Sequence, residues 1–190
     1  MTAPFQFKYP YQTPEPLDNI VLASDGEALT GLWFDNEQSN RRRSHNAEEK
    51  LLPVFRETIR WLDSYFSGKP PDWIPKYRID NMTPFRRDVF QIMQSIPFGQ
   101  TMTYGEIARQ IAQKRNISKM SAQAVGNAVG WNPICIILPC HRVMGSNHKL
   151  TGYGGGIQNK IALLQLEGHD VRQFALPAGE ISVSAHSSLR

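Results

Sequence analysis

Five apolar residues, Ile134, Cys135, Ile136, Ile137 and Leu138, drive one short stretch of this 190-residue chain into the interior. Pro139 stops the run, and Cys140, His141, Arg142 and Val143 follow without a gap. A run this short that ends in a proline is wrong for a helix, and it is expected as a buried strand over residues 134–138. Proline cannot donate to a ladder, so pairing should cease at Pro139 and Cys140 should stand where the backbone leaves the sheet. That placement would deliver a thiol to a cleft, whereas most unpaired cysteines are simply small buried apolar residues. By strand parity Cys135 and Cys140 should point to opposite sides, and a disulfide between them would wreck the strand.

The sequence before this stretch predicts a small sheet and a helix. Phe5, Phe7 and Tyr9 alternate with polar neighbours as in a strand over 5–9, and the apolar runs at 20–23 and 29–34 flank Asp25-Gly26, a hairpin signal. Residues 36–49 are polar and include Arg41, Arg42 and Arg43, which suits a solvated loop. Leu52, Phe55, Ile59, Leu62 and Phe66 then recur at helical spacing, and Ser67-Gly68 closes that helix. Prolines 70 and 71 mark a connector, with a domain boundary within 69–82. The expected division is an N-terminal α/β domain over 1–80, a C-terminal domain over 83–170, and a loosely held tail over 171–190.

The second half reads as mainly helical. Thr83 is an N-cap with Pro84 at the first helical position, and Phe85, Val89, Ile92, Met93 and Ile96 form the apolar stripe. Thr103 and Glu106 make a capping box ahead of Ile107, Ala108, Ile111 and Ala112. A polar connector leads to another helix over about 121–130, and the pair forms a helix-turn-helix candidate. In that second helix Val125 and Val129 face the core. Ala122, Gly126 and Gly130 leave one side almost bare, which suits either a close helix–helix contact or approach to a flat surface such as a DNA groove. The Gly152-Tyr153-Gly154-Gly155-Gly156 loop lacks the lysine and hydroxyl of a phosphate-binding loop. Ile157, Ile161 and Leu164 pattern a last helix, with Gly168 past its end.

Charge divides the chain the same way. Residues 1–84 hold 10 Lys/Arg against 12 Asp/Glu, whereas residues 85–170 hold 9 against 4, so a polyanion partner would meet the second half. No apolar stretch approaches a membrane span, the first residues lack the pattern of a secretory signal, and two unbridged thiols suit a reducing cytoplasm. The five histidines are scattered without ligand spacing, so no metal is expected.

Taken together, Pro139, Cys140, His141, Arg142 and Val143 match the active-site signature of the O6-alkylguanine-DNA alkyltransferases, the methylated-DNA–protein-cysteine methyltransferases. The likeness runs from about Thr83 to His169 and more loosely through the N-terminal half. It implies a ribonuclease H-like first domain and a winged-helix-like second one. It also implies direct, irreversible transfer of a methyl or other alkyl group from O6 of guanine, and from O4 of thymine, to Cys140, once per molecule and with no cofactor. Double-stranded DNA would be the partner, held in its minor groove by the helix-turn-helix of a monomeric protein, with the damaged nucleotide flipped out of the stack.

The resemblance also implies roles. His141 activates Cys140 through a water, because consecutive residues in extended backbone point apart, and Glu167 stands behind His141. Without the resemblance, Glu167 is an acid in the last turn of its helix, where the dipole disfavours it, which suits either a compensating partner or a solvent-exposed acid. Tyr104 gives a proton to the guanine ring nitrogen. Asn132 ties the active-site stretch to the helix-turn-helix. Backbone groups at Cys140 and Val143 read the guanine amine, the Gly154 amide lies near O6, and Tyr153 forms a wall. Arg142 is a structural arginine, buried and hydrogen-bonded between domains. Thr103, Ala122, Gln123, Gly126 and Asn127 lie along DNA. Family members usually carry an arginine at position 123 to fill the vacated stack, so Gln123 is the main departure; Gly154, where a serine can stand, is a minor one. Two other classes use parts of the same pattern. A cysteine hydrolase would turn over acyl substrates, and a non-repairing minor-groove binder would lack the cysteine.

Overall fold

The computed structural model describes residues 5–37, 39 and 46–174. The arginines at 41–43 and the stretch 175–190 lie outside the described residues. Alternating apolar residues build the sheet of the first half from β1 (Phe7–Tyr11), β2 (Ile20–Ser24), β3 (Leu29–Phe34) and β4 (Glu48–Glu49), in the order β3-β2-β1-β4. Strands β1, β2 and β3 are antiparallel and β4 runs parallel to β1. The hairpin forms where Asp25-Gly26 calls for it. Asp25 Oδ1 accepts from the amides of Glu27 and Ala28 at 2.8 and 2.9 Å, so the side chain does the work of a backbone turn. Strand β1 starts two residues later than alternation suggests. The polar stretch at 36–49 does not end as loop, because the Glu48 amide donates to the Gln6 carbonyl at 3.0 Å. That pairing engages only backbone and leaves both glutamate side chains in solvent.

Helix α1 (Pro53–Phe66) packs on this sheet, with Phe55 stacked on Tyr9 at 6.3 Å. Gly68, at φ +78°, ends it in the left-handed conformation as Ser67-Gly68 suggested. The buried face differs from the expected stripe. It comprises Val54, Phe55, Thr58, Trp61, Leu62 and Tyr65, while Ile59 and Phe66 are half-buried. Trp61 and Tyr65 turn inward because each finds a partner for its polar end. The Trp61 indole N–H donates to the Trp73 carbonyl at 2.8 Å, and the Tyr65 hydroxyl reaches Glu167 in the second half.

The second half carries α2 (Pro84–Gln94), α3 (Tyr104–Lys114), α4 (Ala122–Gly130) and α5 (Ile157–Leu166). Thr83 caps α2, Thr103 and Glu106 complete the capping box of α3, and Ser121 caps α4. Phe90 is buried on α2 in addition to Val89 and Met93, stacked on Trp131 at 6.1 Å. Helices α3 and α4 form the helix-turn-helix, which packs through Val125, Ala128 and Val129 of α4. A small sheet followed by a mainly helical half is the architecture expected from the sequence. One hydrophobic core joins them, running from Leu32 and Phe55 through Val89 and Ile107 to Leu138.

Residues 134–138 are buried as expected but do not form a strand. Among them only Ile134 pairs, as a single parallel bridge to Leu32 of β3, whose Leu29 is bridged to Tyr77. Beyond it the chain coils on itself: the Ile137 amide donates to Cys135 at 2.8 Å, Leu138 to Ile134 at 3.1 Å and Cys140 to Leu138 at 2.8 Å. Ile136 takes φ +67°, a conformation that costs a β-branched residue about 1–3 kcal/mol and persists only where the surroundings dictate it. An apolar run reports burial. Extension also needs a partner strand, and here pairing with β3 stops after one residue.

The expected tail also begins in order. Val171 is buried against Met144, Leu150, Ile161 and Leu164 in a second cluster, in a 3-10 turn over Val171–Gln173 capped by Asp170. One apolar side chain in a ready-made niche holds a segment that lacks periodicity.

Candidate active site

Three local devices deliver the reactive groups. Pro139 leads directly into a 3-10 turn over Cys140–Arg142, so the two residues after the cysteine turn inward and all three are buried. Strand β6 (Val143–Met144) leaves that turn and pairs in parallel with β5 (Met102–Thr103). Since Thr103 caps α3, the pairing sets Tyr104 beside the cysteine. Finally, Asn132 ends the α4 connection: its side-chain oxygen accepts from the Ile134 amide at 3.0 Å, and its amide nitrogen donates to the Leu138 carbonyl at 2.8 Å and to Cys140 Sγ at 3.0 Å.

Cys140, Cys135, Tyr104, Tyr153, Gly126 and Asn132 line one cleft, with Gly154 at its edge. Tyr153 approaches Cys140 Sγ to 3.9 Å, and the Tyr104 hydroxyl lies 3.1 Å from Thr151 Oγ1. Burial raises the Tyr104 and Tyr153 phenols, so both stay protonated. The glycine loop is more constrained than its composition suggests. A Cβ on Gly155 would lie 2.6 Å from the Phe34 ring, whereas one on Gly154 would meet nothing within 4 Å. Ser39 Oγ donates to the Gly154 carbonyl at 3.3 Å.

Behind the cysteine lies a buried polar cluster. Glu167, the C-cap of α5, accepts from His141 Nε2 and the Tyr65 hydroxyl at 2.7 Å each, from the Arg142 guanidinium at 2.9 Å and from the Gly99 amide at 3.1 Å. Burial alone would push this carboxyl up, but His141 and Arg142 outweigh it and hold Glu167 well below the usual carboxylate range. Burial depresses His141, so the imidazole is neutral beside an ionised acid. Nε2 must then carry the proton it donates, which leaves the buried Nδ1, without a hydrogen-bond partner among the described residues, as the basic nitrogen. Of the two readings of its helix position, Glu167 is thus the buried acid with compensating donors and not the exposed one. Arg142 is buried as expected, but its partners Glu167 and the Ile96 carbonyl (2.7 Å) both belong to the second half. In this cluster the first half contributes Tyr65.

Two expectations about the cysteines fail because residues 134–138 are coiled. Cys135 and Cys140 do not face opposite sides: they line the same cleft, and the Cys135 thiol hydrogen-bonds to the Cys140 sulfur. Cys140 and His141 are not in extended backbone either, although neighbours in a 3-10 turn still diverge by about 120°. That Cys135 contact, joined by Asn132 and Tyr153, outweighs burial and lowers the Cys140 thiol to about 7. Lys160 adds a positive charge. It is fully buried with Nζ donating to the Val143 carbonyl at 2.7 Å, and burial lowers it to about 8. A carbonyl oxygen has a second lone pair, so Val143 can still accept from a ligand.

Sequence reading missed Tyr65, Lys160, Thr151 and the placement of Cys135. Lys160 did leave a signal, since it falls between Ile157 and Leu164 on the apolar side of α5. The side of α4 carrying Ala122 and Gly130 is exposed, with Gln123 and Asn127 beside it, and Gly126 sits over the Tyr104 ring. The bare face thus meets α3 at Gly126 and is open to solvent at Ala122 and Gly130.

The thiol can be titrated without any ligand. Iodoacetamide should modify Cys140 faster as pH rises through about 7 and level off above it, because the thiolate is the nucleophile. Lys160→Met should move that midpoint upward; an unmoved midpoint would mean the ammonium does not reach the sulfur.

A 6-O-methylguanine DNA methyltransferase DNA-binding-domain profile matches residues 84–169, and the ribonuclease-like-domain profile of the same family matches residues 11–73. The chain belongs to the 6-O-methylguanine DNA methyltransferase family. The methylated-DNA–protein-cysteine methyltransferase of Haemophilus influenzae is 37% identical over 81% of this chain and 83% of its own length. That of Methanosarcina acetivorans is 39% identical over 80% and 94%. The Mycobacterium tuberculosis family member crystallised with DNA superposes with a TM-score of 0.71 at 36% identity, covering 89% of this chain and 95% of that one.

Proposed function

We propose that this chain repairs DNA by moving an alkyl group from O6 of guanine to Cys140 Sγ. The observation that carries the reading is a lowered thiol in a cleft beside a helix-turn-helix, with a buried His141–Glu167 pair behind it. The Cys140 proton passes to His141 Nδ1 through a bridging water, and Glu167 stabilises the imidazolium that forms. The sulfur attacks the alkyl carbon, the carbon–oxygen bond breaks, and its electrons pass into the purine. Tyr104, kept protonated by burial, supplies a proton to the ring nitrogen of the departing guanine, and solvent restores it. The carbonyls of Cys140 and Val143 accept from the guanine amine, the Gly154 amide reaches O6, and Tyr153 walls the pocket. Asn132 keeps the sulfur in register with α4.

A base within a duplex cannot reach a buried thiol, so the nucleotide is flipped out. Helix α4 enters the minor groove with Ala122, Gly126 and Asn127 along it, Thr103 near the backbone, and Gln123 in the vacated stack. The product is a thioether, which a neighbouring histidine cannot hydrolyse, so each monomer acts once, without a cofactor, where thiols remain reduced. O4-alkylthymine is a second substrate. Domains over 1–80 and 83–170 divide the labour, the second carrying every group that touches DNA. Among the described residues no helix is long and apolar enough to cross a membrane.

Intact mass after incubation with O6-methylguanine duplex tests this. One methyl group should be gained, and fragment ions should place it on Cys140. Methyl on Cys135, or more than one equivalent of DNA repaired per chain, would sink the proposal.

A further inference from the structure

The cleft holds a second thiol that the proposed alkyl transfer does not use. Cys135 and Cys140 are the only cysteines of the chain, and they are 5% and 6% exposed. The coiled segment between them folds back through the Leu138-to-Ile134 and Cys140-to-Leu138 hydrogen bonds, bringing residues five apart into contact. Neither cysteine is in a disulfide in this structure, and the Cys135 thiol hydrogen-bonds to the Cys140 sulfur. We propose that Cys135 is a resolving thiol: a peroxide that oxidises Cys140 is answered by a Cys135–Cys140 disulfide, which reversibly withdraws the acceptor sulfur.

The chemistry balances with a peroxide as the oxidant. The Cys140 thiolate attacks one peroxide oxygen, a sulfur–oxygen bond forms, the oxygen–oxygen bond breaks, and the released hydroxide takes up a proton. Cys135 then attacks the sulfenic sulfur; the sulfur–sulfur bond forms, the sulfur–oxygen bond breaks, and hydroxide leaves with the Cys135 proton as a second water. Two electrons pass from the two thiols to one peroxide, and a dithiol reductant reverses the bridge by exchange. The competing fate is a second oxidation to sulfinic acid, which is irreversible by ordinary thiols. A thiol already touching the sulfenic sulfur intercepts that step. Closing the bridge requires the sulfurs to approach to about 2.0 Å. That approach must come from the side chains and the coil at 136–138, since the Cys135 amide is held by the Leu32 carbonyl at 2.9 Å.

This inference rests on Cys140 being the reactive thiol, and its test reads thiol chemistry so that it stands apart from alkyl transfer. The full chain is treated with near-equimolar hydrogen peroxide, trapped with N-ethylmaleimide and digested with trypsin. Both cysteines fall on one tryptic peptide, residues 120–142. That peptide should be lighter by two hydrogens, carry no maleimide, and regain two reactive thiols with dithiothreitol. Cys135→Ala should instead accumulate sulfinic acid at Cys140 that dithiothreitol does not reverse. Sulfinic acid on wild-type Cys140 beside a maleimide-reactive Cys135 would overturn the proposal, as would equal recovery of the Cys135→Ala chain. Should that variant fail to fold, the wild-type peptide alone decides.

Discussion

Glu167→Gln should destabilise the chain by about 3–5 kcal/mol, the cost of breaking a buried ion pair from one side. Arg142 stays buried and charged in that variant, facing a neutral amide whose nitrogen is a donor among donors: Tyr65, His141, Arg142 and the Gly99 amide all point at this position. For a chain of this length the loss corresponds to roughly 6–20 °C in Tm. Adding Arg142→Met should recover part of it, since the stranded charge is then gone. The sign of the pH dependence follows from the lowered carboxyl. Its contribution is complete above the unfolded value of about 4.3 and is lost as pH falls below it, so the wild-type chain weakens in acid and the Gln variant lacks that limb. Alkyl transfer should slow as well, because a neutral amide stabilises the imidazolium of His141 less than a carboxylate does, while DNA affinity stays close to wild type. Urea unfolding at several pH values checks the stability claim; a variant within about 0.5 kcal/mol of wild type would show the cluster to be energetically idle.

Gln123→Arg should speed repair of duplex DNA about tenfold while leaving reaction with free O6-benzylguanine unchanged. Gln123 lies exposed in the first turn of α4, beside the bare face and away from the buried cluster. A guanidinium in the gap left by a flipped base can stack on its neighbours and hydrogen-bond the orphaned cytosine. Glutamine offers the same kind of hydrogen bond but is shorter and uncharged, so it offsets less of the few kcal/mol that unstacking costs. Gln123→Gly should slow the duplex reaction by a similar factor and spare the free base. The two substrates separate extrusion from chemistry because both meet the same Cys140. Duplex repair by the Gly variant at the wild-type rate would remove Gln123 from the stack and direct attention to another side chain of α4.

What local chemistry governs was legible in the chain itself. The Asp25-Gly26 hairpin, the Thr83 cap with Pro84, the Thr103–Glu106 capping box and the glycines ending α1 and α5 each depend on residues a few positions apart. Their hydrogen bonds form wherever the rest of the protein goes. The buried faces were harder. Hydropathy chose Ile59 and Phe66 on α1, while Trp61 and Tyr65 are the residues turned inward. Their polar ends find partners that no periodicity reveals, above all Glu167, which lies 102 residues from Tyr65.

The sequence by itself determined the short-range order of the chain, the burial of residues 134–138, and a thiol, an imidazole and a guanidinium following Pro139 as a family signature. Only the tertiary structure decided that this buried stretch coils instead of extending, because extension needs a continuous partner and pairing with β3 stops after the Leu32–Ile134 bridge. From that coil follows the meeting of Cys135 with Cys140, which strand parity would forbid. The fold likewise decided the state of the groups: a buried Glu167 stays ionised because His141 and Arg142 converge on it, and Cys140 is lowered by contacts that come from both ends of its own coil and from the Gly152–Gly156 loop. Identity and spacing are properties of a chain. Solvation and the distances between remote charges are properties of its fold, and they set what these residues can do.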